Sequence, residues 1–176
     1  YKNIITYTQV VADGGDGFLT LFKGFTNNKF RTVNAALQEC DVNYLLNEER
    51  KEAVIEVAEV IGIKQLKDEQ KDPFKTTTTG LGKLIVFLLE KGIEHFIIGL
   101  GGSATNDCGI GMLSELGIKF IDKKGNLCKC GINDLRKIDD IDIKNINSKL
   151  TKARFSIISD VSNPLIGKNG ATYIFS

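Results

Sequence analysis

The residues best suited to chemistry in this chain of 176 residues cluster between positions 99 and 107: Gly99, Gly101 and Gly102, then Ser103, Ala104, Thr105, Asn106 and Asp107. They follow an apolar stretch, 95–100 (HFIIGL), and precede a helix-forming one. In open α/β sheets ligands bind beyond the carboxyl ends of the strands, which is where such a loop falls. Glycines let an anion approach the backbone, and the free N–H groups of Gly101 and Gly102 at a helix start donate to it. Ser103 and Thr105 add hydroxyl donors, Asn106 an amide, and Asp107 a carboxylate able to take a proton or hold a metal. The plainer reading makes Asp107 or Asn106 the cap of the helix that follows. Sequence alone weighs the two roles of Asp107 evenly, and one carboxylate can serve both.

Three further segments have a related build. Residues 12–17 (ADGGDG) follow a β-branched run and carry Asp13 and Asp16, candidates for a metal or a substrate hydroxyl. Asp-Gly pairs also make ordinary tight turns. Residues 76–80 (TTTTG) place four hydroxyls, Thr78 among them, at the start of an amphipathic helix. One threonine acting as N-cap would equally account for them. Residues 160–169 follow a strand and carry Asp160, Asn163 and Lys168, a lysine that could meet a phosphate. Lys168 reads more simply as a solvated surface residue.

Other chemistries find little support. No GxxxxGK[ST] motif occurs, so the Walker cradle is absent. The run 99–104 fits a relaxed GxGxxG/A dinucleotide fingerprint, with Asp122 about where a ribose-binding acid would stand. Against it, Thr105, Asn106 and Asp107 are turn and cap formers where that motif's helix should already run. Cys40, Cys108, Cys128 and Cys130 include no CxxC pair, and the one histidine, His95, is far from them, so they read as reduced thiols. Asp139, Asp140 and Asp142 lack EF-hand spacing and read as a solvated face. A net charge of +1 gives no electrostatic case for nucleic acid or an anionic membrane. No apolar run approaches the roughly 18 residues of a membrane span, and no secretory leader is read. The chain opens at Tyr1 in an apolar run and stops in mid-pattern, which reads as a piece of a longer protein.

Elements must position these loops. Residues 3–11 read as a strand, 17–23 as a short helix and 29–37 as a second strand. Composition over 45–60 favours helix, while 53–57 (AVIEV) suits a strand equally well. Leu81, Leu84, Ile85, Leu88 and Leu89 share one helical face, and Gly92 ends that helix. A strand at 95–100, a helix at 108–116, a strand at 118–121, a turn at 123–126 and a strand at 155–159 follow. Strand, glycine loop, helix and strand in succession predict an α/β fold. Its sheet is mostly parallel and flanked by helices in Rossmann-like layers, with a β-rich segment near 29–57.

Residues 101–107, with 109–117, Lys119 and Phe120, resemble the signature loop of the bacterial-type (type 1) glycerate kinases. Residues 12–17 resemble that family's second marker loop. Thr76 to Gly82 with Leu84 and Ile85, and Asp160-Val161 with Asn163, Pro164, Leu165, Gly167, Gly170 and Ala171, fall in the family's order. The resemblance spans essentially the whole chain. It implies a cytoplasmic phosphotransferase acting on glycerate with ATP and Mg²⁺, and a chain that is one α/β unit of a larger two-domain enzyme. A possible internal boundary lies near 67–75. It implies Asp107 and Asp13 as catalytic acids and Asp160 as a metal ligand. Glycerate or phosphate would be bound by Gly101, Gly102, Ser103, Thr105, Asn106, Asp16, Thr78 and Asn163. Strands at 42–46 and 53–57 follow from the resemblance rather than from propensity. Cys108 stands where the family has glycine. The alternatives are an NAD(P)-dependent oxidoreductase domain built on 99–104, and a truncated fold without turnover.

Overall fold

The computed structural model describes residues 5–8, 10–128 and 132–175. The first half of its main sheet is antiparallel: β1 (Thr26–Val33), β2 (Glu39–Asn47) and β3 (Glu52–Glu56). Alternation within β2 sends Val42, Tyr44 and Leu46 to one core and Leu45 to the other. This two-sided burial overrides the helical composition of 45–60, because a helix would leave one set in water. β3 ends at Glu56, so Val57 begins α1 (Val57–Ile61) rather than closing the strand. The strand expected at 29–37 stops at Val33. Asn34 Oδ1 accepts from the N–H groups of Ala36 (2.9 Å) and Gln38 (3.0 Å) and so folds a turn there.

The second half is parallel. α2 (Thr79–Glu90) leads through Gly92, at φ +84°, into β4 (His95–Gly99), which pairs with β3 so that Glu56 lies beside Gly99. α3 (Ile110–Glu115) follows. A two-stranded antiparallel sheet then forms from β5 (Lys119–Asp122) and β6 (Ile138–Asp142), with α4 (Ile132–Leu135) between them in sequence. β7 (Arg154–Ile158) returns to pair in parallel with β4, and α5 (Ala171–Phe175) comes last. The main sheet runs β1-β2-β3-β4-β7. The fold is α/β with a mixed sheet, its antiparallel part being the β-rich segment and its parallel part β3-β4-β7.

The apolar face of α2, with Leu84, Ile85 and Leu88, buries against Val42, Ile55 and Phe96. That core also includes Leu66 and Leu81, so it runs on both sides of segment 67–75. On the opposite face a smaller core joins Phe18, Leu45 and Val54.

Three expectations need correction. Residues 5–8, 10 and 11 are irregular, with Ile5 77% and Tyr7 90% exposed; the rest of the strand expected at 3–11 lies outside the described residues. Propensity alone does not make a strand, and none of the described residues of this run lies in a strand of either sheet. The helix expected at 17–23 is a single 3-10 turn, Phe18–Leu21. The helix expected from 108 starts two residues late because Cys108 (φ +52°) and Gly109 (φ +75°) are both left-handed. Cys108 occupies a backbone conformation suited to glycine, at about 1–2 kcal/mol. Asp139, Asp140 and Asp142, read as a solvated face, stand in β6, where Asp139 and Asp140 are exposed.

Candidate active site at the carboxyl edge of the parallel strands

Residues 12–17 and 99–107 meet at the carboxyl ends of β4 and β7. Leu100 N–H donates to Ile158 O (2.8 Å), tying the loop to β7. A Cβ on Gly101 would lie 2.9 Å from Gly15 Cα, and one on Gly14 would collide with Ile158 O. These glycines are therefore spent on loop-to-loop packing. Gly102 differs: it is exposed, at φ +61°, and a Cβ there would meet only Ala58 Cβ at 3.3 Å and Asp16 Oδ1 at 3.8 Å. A third segment joins them through Ile63 N–H to Gly102 O (2.9 Å) and Ala104 N–H to Ile61 O (2.8 Å).

The N–H groups of Gly101, Gly102, Ser103 and Thr105 donate to no acceptor among the described residues, and the hydroxyls of Ser103 and Thr105 have no partner there. Two cavities flank this cluster. The larger, about 630 Å³, is apolar over most of its wall, with Ile85, Ile98, Leu116, Phe155 and Leu165 among its lining. The smaller, about 120 Å³, is bounded by Ser103, Thr105, Asn106 and Lys71, among others. Of the two, only the smaller has a lysine in its wall, Lys71, whose Nζ pairs with Asp68 (2.7 Å).

Asp107 is 1% exposed, and its carboxylate takes most of its hydrogen bonds on one oxygen. Oδ2 accepts from Thr78 N–H (2.8 Å), Thr78 Oγ1 (2.9 Å) and Gly111 N–H (3.2 Å), with Thr77 Oγ1 at 3.2 Å; Oδ1 accepts from Gly109 N–H (3.1 Å). One buried anion thus serves the starts of α2 and α3 together. These contacts match the cap role; Oδ1 has a single donor among the described residues, and Asp107 also lines the larger cavity. Thr78 is spent on the same contacts: its hydroxyl donates to Asp107 and accepts from Met112 N–H (2.8 Å), which leaves nothing for phosphate. Gly111 and Gly82 allow the two helices to approach, a Cβ on Gly82 lying 2.8 Å from Met112 Cα.

The remaining expected residues divide. Asp13 is exposed; its Oδ1 accepts from Gly15 N–H (2.9 Å), and Oδ2 has no partner among the described residues. Asp16 forms an ion pair with Lys64, which raises the lysine's pKa through that hydrogen bond and charge. Asn106 Oδ1 accepts from Thr172 Oγ1 (3.1 Å), bringing α5 to the loop. Asn163 spends its amide on Asn169 O (3.0 Å), and Asp160 is exposed and forms no ion pair among the described residues. No group of three or more His, Cys, Asp or Glu side chains among the described residues could hold a metal. A Mg²⁺ carried by phosphates and one or two carboxylates remains compatible with Asp13 and Asp16. His95 lies at the other end of β4, between Glu52 Oε1 (3.1 Å) and Ser156 Oγ (2.9 Å).

The dinucleotide reading fails on geometry. Its helix should start within the glycine run, whereas α3 begins at Ile110. Asp122 is consumed by its own turn, accepting from the N–H groups of Lys124 (2.8 Å) and Asn126 (2.8 Å).

Sequence reading missed Glu56 and Lys64. Glu56 is 4% exposed, and its oxygens accept from Gly17 N–H (3.0 Å) and Leu19 N–H (3.2 Å). Burial pushes its carboxyl above the usual glutamate range, against the pull of these two donors; nearby Glu59 and Asp16 push the same way as burial. The available signal was a lone acid ending an apolar strand, AVIE.

The site and fold together describe an α/β domain with a glycine-rich loop at the carboxyl edge of its parallel strands. Residues 2–176 match the model of the Glycerate kinase family, and the chain belongs to that family. It is 39% identical to a glycerate 2-kinase of Escherichia coli strain K12 and 36% identical to a glycerate kinase of Bacillus cereus. Each alignment covers 94% of this chain and 44% of the relative. A crystal structure described as a glycerate kinase 2 from Salmonella typhimurium LT2 superposes with a TM-score of 0.87 at 36% identity. It covers 94% of this chain and 45% of that one. The chain thus spans under half the length of these relatives.

Proposed function

We propose that the protein carrying this chain is a glycerate kinase that transfers a phosphoryl group from ATP to a glycerate hydroxyl. The chain would supply the acid-binding side of the site within a larger two-domain enzyme. One observation carries the reading: Ser103 and Thr105, whose N–H and hydroxyl groups are unspent among the described residues, line a cavity of about 120 Å³ together with Asn106 and Lys71, and the unspent N–H groups of Gly101 and Gly102 precede them in the same loop. Such donors match a small carboxylate, and the family membership supports the choice of glycerate.

Bound ATP supplies the transferable group, and Mg²⁺ its charge neutralisation. The residues of this chain bind and orient. Gly101, Gly102 and Ser103 donate to the anion without reorganising, because the loop is already pinned by Ile61, Ile63 and Ile158. Asp13, whose Oδ2 is unspent, is the better group to take the hydroxyl proton. Asp107 is assigned a positioning role. Asp16, released from Lys64, is the second carboxylate that could meet Mg²⁺; Asp160 and Asn163 are left as weaker contacts. The reading includes a cytoplasmic location. Among the described residues, no helix is long and apolar enough to cross a membrane.

A coupled ADP-release assay on the whole protein tests this. Release that requires D-glycerate and Mg²⁺ is expected; absence of release with glycerate overturns the reading. An Asp13→Asn variant should lower kcat by roughly 100-fold or more with KM for glycerate little changed.

A further inference from the structure

Glu56 is a buried carboxylate that forms no ion pair among the described residues. The charged groups that act on it are Asp16, on the loop before the 3-10 turn, and Glu59 on α1, both acidic. Among the described residues its hydrogen-bond partners are the N–H groups of Gly17 and Leu19, which use two of the roughly four acceptor positions of a carboxylate. A neutral side chain would cap that turn without burying a charge. What the carboxylate does is clamp two donors of one segment, on either side of Phe18, to the end of β3. The consequence reaches the site through short links. Gly17 adjoins Asp16, and Phe18 packs so closely on Gly99 that no Cβ fits between them. Gly15 touches Gly101 within the same segment.

We propose that Glu56 is a positioning residue: through Gly17 and Leu19 it sets the height of the Asp13–Asp16 loop over the donors of Gly101–Ser103. This rests on the glycerate kinase reading and adds to it the element that fixes its two loops at working distance. Glu56 itself touches no substrate. A glutamine there turns an NH₂ group toward one of the two N–H donors, so one clamp is lost while shape is kept.

The experiment uses the whole protein with Glu56→Gln and Glu56→Asp, read by amide hydrogen exchange and by steady-state kinetics. Glu56→Gln should speed exchange over residues 14–20 about tenfold or more while α2 and β4 stay protected. kcat should fall roughly 10- to 100-fold, as expected when a reacting group is misplaced by about 1 Å, with KM for ATP unchanged and thermal midpoint near wild type. Glu56→Asp, which keeps the charge, should restore part of kcat. Unchanged exchange at 14–20 in Glu56→Gln overturns the proposal. So does faster exchange with wild-type kcat, or a kcat loss that merely follows a lowered thermal midpoint. If wild-type protein releases no ADP with glycerate, the kinase reading fails. The exchange arm then still decides whether Glu56 holds the loop.

Discussion

The two ends of the parallel strands β3, β4 and β7 handle charge in opposite ways. At the amino end charges meet charges, half in water. Lys51 Nζ lies 2.7 Å from Glu94, and His95 bridges Glu52 and Ser156, with Arg154 alongside. At the carboxyl end two carboxylates, Asp107 and Glu56, are buried and face only N–H and O–H groups. Among the described residues neither has a cation within its hydrogen-bonding shell, and the ion pair this end does carry, Asp16–Lys64, is exposed. Side-chain pairs in solvent contribute little and tolerate exchange, whereas a buried anion held by backbone dipoles fixes the chain that supplies them. The difference teaches where shape is stored: the carboxyl end keeps it in backbone positions, through glycines and buried acceptors.

The largest effect should come from Asp107→Ala. It leaves Thr78, Gly109 and Gly111 N–H groups buried without an acceptor and should cost about 3–5 kcal/mol in a urea melt. Asp107→Asn keeps the shape of the side chain but not its charge. With Oδ2 near four donors, an amide there should cost about 1–3 kcal/mol.

The glycines sharpen the contrast within the carboxyl end itself. Gly14→Ala forces a Cβ into Ile158 O at φ +95° and should destabilise by about 2–3 kcal/mol in the same melt. Gly102→Val strains a left-handed residue by about 1–2 kcal/mol but meets only one side chain closely. It should stay folded and lose glycerate-dependent ADP release. Full activity in Gly102→Val would remove this loop from the site.

A smaller signature lies in pH. Because the Glu56 carboxyl is held above its ordinary value in the fold, the native state binds its proton more tightly than the unfolded chain. Its contribution to stability is therefore greatest at low pH. It declines as pH rises from about 4.3 through the higher folded-state value, then levels off. Comparing the pH dependence of the urea midpoint in wild type and Glu56→Gln isolates this slope, which the variant should lack.

The smallest effect belongs to the amino end. Lys51→Ala removes an exposed pair and should change stability by about 0–1 kcal/mol. A change as large as that of Asp107→Ala would erase the distinction between the ends.

How much of this was legible in sequence varied with range. The α2 stripe, its glycine stop and the β4 loop are local patterns, and they fold as read. The strands at 42–46 and 53–57 came from family resemblance, because their helical composition is outweighed by burial on both sheet faces. The donor set of Asp107 was not legible, since Thr77 and Thr78 stand 30 and 29 residues away. Glu56 was hidden for the same reason, its partners lying 39 and 37 residues earlier. β6 escaped because its acids mask the alternation that marks a strand.

The helix crossing at Gly82 and Gly111, locked by Asp107, also bears on how the chain assembles. From Thr77 the backbone runs out along α2, back through β4 and returns to its starting point at Gly111, closing a loop of modest length. The β4–β7 ladder must gather partners such as His95 and Arg154, 59 residues apart. Loop-closure entropy grows with separation, so the α2-β4-α3 unit is the cheaper nucleus. Substitutions at Gly82 should then slow refolding, whereas those in β7 should mainly hasten unfolding, a division that chevron kinetics would read directly.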